Sequence, residues 1–290
     1  MTKILVTGAG GPAGRALSAL LAQRGIALVI TDSRWLDSSG VPFFQVPLAR
    51  EAAFLPAIRQ IAAAQQVDWI IPTVSEELPV FAAGWQTSSP AVLIGPAEGV
   101  ATANDKYLTA QALSRQGVPV PRFMLPSQAH TPGEVERAIG WPCISKPRVG
   151  RGGREVAIHE VADFAALAAL SDAYILQEFA SGVDYAPELF VTPENGPATI
   201  VVLEKTGLKE GRVGNALSVR PVSDPDVAQV ALAAAQAAGL AGPLDIDIRR
   251  RADGQPVVLE INARFGANLA YAPQVFEAAL AYLQNHGKQP

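Results

Sequence analysis

Four oxygen-bearing side chains, Asp245, Asp247, Glu260 and Asn262, fall within one short stretch of the sequence, on either side of an Asp253-Gly254 dipeptide. Aspartate-glycine favours a tight hairpin turn, because both positions tolerate positive φ. A turn that closes Ala252 onto Gln255 sets Asp247 directly opposite Glu260, and Asp245 opposite Asn262. Side chains alternate along a strand. One face therefore carries Asp245, Asp247, Arg249, Glu260 and Asn262, while Ile246, Ile248, Leu259 and Ile261 make the other, a core face. Like charges placed opposite one another are unfavourable in a bare sheet. A divalent cation removes the conflict, and oxygen donors suit magnesium, which keeps waters and phosphate oxygens in its shell. These residues point to a metal–nucleotide pair; the plain alternative is a solvated face on which Arg249 offsets one acid. Arg264 shares the face and has the fork to grip a phosphate bidentately.

Two further segments could meet an anion. Lys146 ends the apolar run Ile144-Ser145-Lys146, where a lysine is costly unless it finds a negative partner. The loop after it, Gly150-Arg151-Gly152-Gly153-Arg154, exposes backbone N–H groups that suit phosphate oxygens, although a basic surface turn reads the same way. The N-terminal run Thr7-Gly8-Ala9-Gly10-Gly11-Pro12-Ala13-Gly14 sits between a strand and a helix, with Asp32 ending the next strand. That is the context of a dinucleotide fingerprint, and it keeps an NAD(P)-dependent oxidoreductase open as an alternative. No tyrosine is followed four residues later by lysine, as an extended short-chain dehydrogenase would require, and a glycine turn also serves to pack a helix closely on a sheet.

The elements that must position these residues alternate at first. Strands at Lys3–Thr7, Ile26–Thr31, 43–46, Asp68–Pro72 and 91–94 are separated by helices at about 12–24 and 51–65 and from Glu76. The pattern implies a Rossmann-like parallel sheet. A helix follows from about Asn104 to Gln116, then a proline-rich connector. Strands at 142–146 and Tyr174–Glu178 come next, and beyond Gly182 strands dominate, ending in the hairpin 244–250 with 256–261. Few residues follow Arg264, which leaves little chain to wall off a pocket. The fold expected is α/β, with a Rossmann-like domain over 1–102 and a two-lobed α+β domain over 103–290 (small lobe about 118–180, large lobe about 181–290).

Composition excludes several classes. The net charge of −4 argues against nucleic acid and anionic membrane surfaces. A lone cysteine, Cys143, cannot close an internal disulfide, and no leader is evident, so a cytoplasmic protein is expected.

Together these segments resemble the ATP-grasp superfamily, in particular carbamoyl-phosphate synthetase large-subunit-like and amino-acid ligase members. Leu259-Glu260-Ile261-Asn262-Ala263-Arg264 is similar to that family's E-x-N-x-R signature, with Asp247 as the preceding acid. The resemblance implies that Asp247, Glu260 and Asn262 hold magnesium (manganese could substitute) against ATP phosphates, and that Arg264 steadies the transferring phosphoryl group. It gives Lys106, in Asn104-Asp105-Lys106, and Lys146 to the phosphates, and Gly150, Gly152 and Gly153 to a flap over them. Gln177-Glu178-Phe179-Ala180 resembles the hinge that holds adenine, with Glu178 or Asp184 on the ribose; Asp184 stands where a glutamate is usual. The implied chemistry joins a small-molecule carboxylate to an amine through an acyl phosphate, and a homodimer is compatible with the resemblance. A non-catalytic ATP-binding module is the other alternative. Glu76 and Glu77 lie where such a sheet binds ligands, either meeting an amino group or merely opening a helix.

Overall fold

The first five strands of the chain share one sheet. In the computed structural model, which describes residues 2–38, 40–87, 89–150, 153–193, 196–208 and 216–286, β1 (Lys3–Thr7), β2 (Ala27–Asp32), β3 (Phe43–Gln45), β4 (Trp69–Pro72) and β5 (Ala91–Val92) form a parallel sheet. Its order is β3-β2-β1-β4-β5. Helix α1 (Pro12–Gln23) starts on a proline at its first turn, where the missing N–H goes unnoticed. Gly25, with φ +67°, receives the chain as it leaves. Alternation along β1 divides the core. Ile4 and Val6 pack with Leu17 and Leu21 of α1. Leu5 joins Val29, Ile58 and Phe81 from α2 (Phe54–Gln65) and α3 (Leu78–Gly84). Both faces are covered, which is why these strands read as continuous apolar runs.

The connection to the rest holds the helix expected from about Asn104 to Gln116, as α5 (Lys106–Arg115), and one that was not anticipated, α4 (Ala97–Asn104), which stops just before it. Asp105 between them is extended and accepts hydrogen bonds from the backbone N–H groups of Tyr107 and Leu108. An aspartate at this position is a helix cap that competes with continuing the previous helix. The break leaves Lys106 as the first residue of α5.

A small antiparallel sheet follows, ordered β6-β9-β7-β8, from β6 (Phe123–Met124), β7 (Cys143–Pro147), β8 (Ala157–His159) and β9 (Tyr174–Glu178). Helices α6 (Pro132–Ala138) and α7 (Phe164–Ala168) cover one face, where Val135, Cys143, Leu167 and Leu176 pack. Ile144, Lys146 and Gln177 line a cleft on the other.

The large sheet contains β10 (Asp184–Tyr185), β11 (Glu188–Val191), β12 (Ala198–Leu208), β13 (Ala216–Val222), β14 (Gly242–Arg250) and β15 (Pro256–Asn262). Strands β10 and β11 both run between β12 and β14, as one strand interrupted at Ala186-Pro187. Helix α8 (Pro225–Ala237) covers Leu244, Ile246, Ile248 and Ile261. A last helix, α9 (Pro273–His286), was not anticipated from the sequence. Val275, Phe276, Ala279 and Leu283 of this helix enter the same core as Ile4, Val6 and Trp69. The chain after Arg264 thus fastens the large sheet to the first one. No helix among the described residues is long and apolar enough to cross a membrane.

Candidate active site

The β14–β15 hairpin delivers the acids as expected, but by a different route. The Arg251 N–H donates to the Gln255 carbonyl at 2.9 Å and the Gly254 N–H to the Arg251 carbonyl at 3.0 Å, around a three-residue loop with Gly254 at φ +88°. Beside the turn, Ile248 therefore faces Val258 and Arg249 faces Val257, one residue out of the expected register. The register shifts between Asp247 and Ile248, which restores Asp247 opposite Glu260 and Asp245 opposite Asn262. This is a β-bulge, which takes up one extra residue on one strand. Leu259 occupies it, and the core face is completed by Val258 instead. Leu259 lines the cleft, and its carbonyl accepts a hydrogen bond from Lys146 Nζ at 2.9 Å.

The cleft between the two sheets measures about 880 Å³. Lys146, Gly150 and Gly153 line it from the small-sheet side, Lys106 from the start of α5, and Gln177, Glu178, Phe179 and Ala180 from the end of β9 and the residues after it. Asp184, Asp247 and Glu260 line it from the large sheet. Gly152 lies outside the described residues. Asn262 and Arg264 border a second cleft of about 1310 Å³, between Gly11–Ala13 at the start of α1, the Thr73–Ser75 turn after β4, and residues 262–268. Arg154, Lys205, Asp247 and Glu260 belong to both clefts.

Two lysines meet the acids of the cleft, one of them shared between two carboxylates. Lys106 Nζ lies 3.1 Å from Glu260 Oε2 and donates to the Gly150 carbonyl at 2.8 Å. Lys205, on β12, donates to Asp247 and lies 3.1 Å from Asp184 Oδ1. The sequence reading missed Lys205. Its signal was the one that singled out Lys146, a lysine closing an apolar run, here Ile200-Val201-Val202-Leu203. Arg249 lies 3.9 Å from Asp184 and 5.3 Å from the centre of the Phe179 ring. Glu178 Oε2 accepts from the Arg122 backbone N–H at 3.1 Å and from Arg251 at 3.1 Å. Arg264 donates to Asp245 at 3.2 Å and to the side-chain oxygen of Asn262 at 3.1 Å.

This assembly has a known counterpart in sequence. Residues 103–268 match the family model of the ATP-grasp domain.

The chain belongs to the ATP-grasp family.

Solved structures share the fold. An L-amino acid ligase from Bacillus licheniformis is 18% identical with a TM-score of 0.73, over 97% of this chain and 75% of that one. An N5-carboxyaminoimidazole ribonucleotide synthetase from Thermotoga maritima is 17% identical with a TM-score of 0.71, over 98% and 76%. A biotin carboxylase from Campylobacter jejuni, in a complex with an ATP analogue, is 15% identical with a TM-score of 0.70, over 100% and 72%.

Electrostatics in the ATP-grasp cleft follow from burial. Burial presses Lys146 down to about 8, against the pull of Glu260. Burial would also raise Glu260, but Lys106 and Lys146 overcome it and hold the carboxyl at about 2. Asp247 is pushed up to about 7 by burial, with Lys205 opposing and the Glu260 and Asp245 carboxylates adding to the rise. A buried acid under that pressure, beside a second acid and an amide oxygen, is the donor set a hard divalent cation fits. Glu188 extends the acidic row. It is fully buried opposite Asp245, accepts from the Gly266 N–H at 3.0 Å, and burial followed by Asp245 raises it well above an ordinary carboxyl.

The N-terminal glycine turn packs Gly8 and Gly14 against the protein itself, while Gly11, Pro12 and Ala13 line the second cleft. A Cβ on Gly8 would meet Val74 at 2.2 Å, and one on Gly14 would meet the Gly8 carbonyl at 2.4 Å. Asp32 accepts from the backbone N–H groups of Gly10 and Arg34, each at 2.9 Å. Glu77 is buried and accepts a hydrogen bond from the Thr7 hydroxyl, while α3 starts just after it.

Proposed function

We propose that the protein is an ATP-dependent carboxylate–amine ligase of the amino-acid type. The observation that carries this reading is the convergence of Lys106, Lys146, Lys205, Asp247 and Glu260 at one cleft, with Asn262 and Arg264 bordering a second cleft that opens into it. The hinge residues Gln177–Ala180 offer backbone groups to an adenine edge, since the Glu178 carboxylate is already held by two arginines. Lys106 and Lys146 place positive charge where phosphate oxygens would lie. Asp247, Glu260 and Asn262 would hold magnesium, which supplies neutralising charge for phosphoryl transfer when bound.

A substrate carboxylate in the second cleft attacks the γ-phosphorus, the bond to the bridging oxygen breaks, and ADP leaves. Arg264, oriented by Asp245 and Asn262, faces the cleft where the new acyl phosphate lies. The amine then attacks the acyl carbon, loses a proton and expels phosphate, leaving an amide. Fixed charges aimed at the transferring group are the usual source of rate in such steps.

The test is ADP release from ATP over a panel of paired carboxylates and amino acids, alongside calorimetry with ATP. Magnesium-dependent binding and substrate-dependent ADP release are expected. Saturable NADPH binding with ATP ignored would defeat the reading in favour of the oxidoreductase. ATP binding without ADP release from any pair would favour the non-catalytic module.

A further inference from the structure

Lys205 stands at the wall the two clefts share. Its side chain is 8% exposed, and its ammonium joins Asp184 of β10 to Asp247 of β14. Removing one partner of a buried ion pair leaves an uncompensated charge, which is strongly unfavourable. Lys205 is therefore the ion that satisfies Asp247 when no nucleotide is present, as Lys106 satisfies Glu260. The two acids that face each other across the hairpin each carry their own cation. Among the described residues, no group of three or more carboxylate, histidine or cysteine side chains is assembled around a metal position.

We propose that Lys205 is a resident counter-ion that must release Asp247 before a divalent cation can take it, so that metal enters together with nucleotide phosphates and not ahead of them. The inference rests on the ligase reading of the cleft. The physical reason is an exchange of partners. An ammonium leaving Asp247 needs another anion within reach, and Asp184 alone gives it one where it had two. Phosphate oxygens bring that anion in the same event that brings the metal. A free divalent cation brings only more positive charge, and the buried ammonium repels it.

The experiment titrates nucleotide-free protein with Mn²⁺ alone, followed by electron paramagnetic resonance of the unbound ion. The wild type is expected to bind weakly. Lys205→Met is expected to bind roughly tenfold more tightly or better, the scale of removing one positive charge beside a carboxylate. Lys205→Arg, which keeps the charge, should behave as wild type. Should Lys205→Met not fold, the charge-balanced pair Lys205→Met with Asp184→Asn carries the same contrast. A rise in melting temperature with Mn²⁺ in that variant, and not in wild type, gives a second readout. Equal Mn²⁺ affinity in wild type and the methionine variants would overturn the proposal, as would tight binding by Lys205→Arg. A parallel titration of wild type with ATP and Mn²⁺ reads the nucleotide site separately: its failure would sink the ligase reading, whereas the contrast with Mn²⁺ alone tests only the counter-ion.

Discussion

The N-terminal turn and the β14–β15 hairpin both hold acids, Asp32 at the end of β2 and Asp247 and Glu260 within β14 and β15, to opposite effect. At the turn, the acids are met by groups of the turn itself, backbone N–H groups for Asp32 and the Thr7 hydroxyl for Glu77. Asp32 is held by two N–H groups that cannot leave without unfolding the loop, and the space beside Gly8 and Gly14 is taken by Val74 and the Gly8 carbonyl. At the hairpin, Asp247 and Glu260 are met by lysine side chains from β12 and α5. A lysine can change partner by rotating its stem, whereas a backbone N–H in a packed turn cannot. An acid whose counter-charge is exchangeable can pass to another cation, whereas one held by fixed backbone groups serves as a structural joint.

The sharpest way to break this contrast is Glu260→Ala. Magnesium dependence of ATP binding should vanish, and ADP release should fall by on the order of 10² to 10³-fold, as for loss of a group aimed at the transferring charge. Calorimetry and an ADP assay would measure it. Unchanged magnesium dependence would refute the assignment of this acid.

Gly266→Ala comes next. Its Cβ would lie 2.0 Å from Glu188 Oε1 and 2.8 Å from Asp245 Cγ, so overpacking should cost about 1–3 kcal/mol and disturb Arg264. In a Glu188→Ala background the collision with Glu188 is gone and only that with Asp245 remains, so the double variant should lose less than the two single losses added together. Gly14→Ala is the N-terminal counterpart. Backbone is what its Cβ meets, so it should lower the melting temperature without altering ATP affinity per folded molecule. Strict additivity for the first pair, or weakened ATP binding by folded Gly14→Ala, would erase the distinction between the regions.

A pH series separates them more gently. Lys146 titrates at about 8 against an ordinary 10.5 because burial disfavours its charge. It is cationic below about 8 and loses that charge above, so ATP affinity should weaken as pH rises through 8. Folding stability should move the other way: between 8 and 10.5 the unfolded chain still binds the proton the folded one has released, so stability rises with pH over that window. Lys146→Arg should flatten the affinity profile. A profile that keeps its shape in the arginine variant would assign it to another group.

The smallest effect is expected from Asp32→Asn. It removes one of two charged acceptors for backbone N–H groups, a loss of about 1 kcal/mol, seen as a modest drop in melting temperature with ATP binding intact. Loss of ATP binding in that variant would restore a ligand role to the turn.

Much of the site was legible in the sequence because it follows local rules. Alternation along β14 and β15 put Asp245, Asp247, Glu260 and Asn262 on one face, and the order of segments from Lys106 to Arg264 carried the family resemblance. The hairpin shows where local rules stop. The dipeptide Asp253-Gly254 marked the turn but not its length, and the compensating bulge at Leu259 moved that residue from the core face to the cleft lining. The acids kept their register because the bulge falls between them and the turn. Helix α9 left a weak signal, since its apolar residues serve a core built from the far end of the chain.

The sequence by itself determined the parallel sheet, the hairpin with its acidic face and the lysine at the end of β7, since runs, turns and alternation are set by neighbours within a few residues. Only the tertiary structure decided which charge meets which. Lys205 reaches Asp247 across 42 positions of sequence, and Lys106 reaches Glu260 from another element altogether. It also decided that Gly8 and Gly14 are packed against the protein while the residues between them line the second cleft. The physical reason is that burial and ion pairing depend on surfaces brought together by the whole core, and no window of sequence contains both partners.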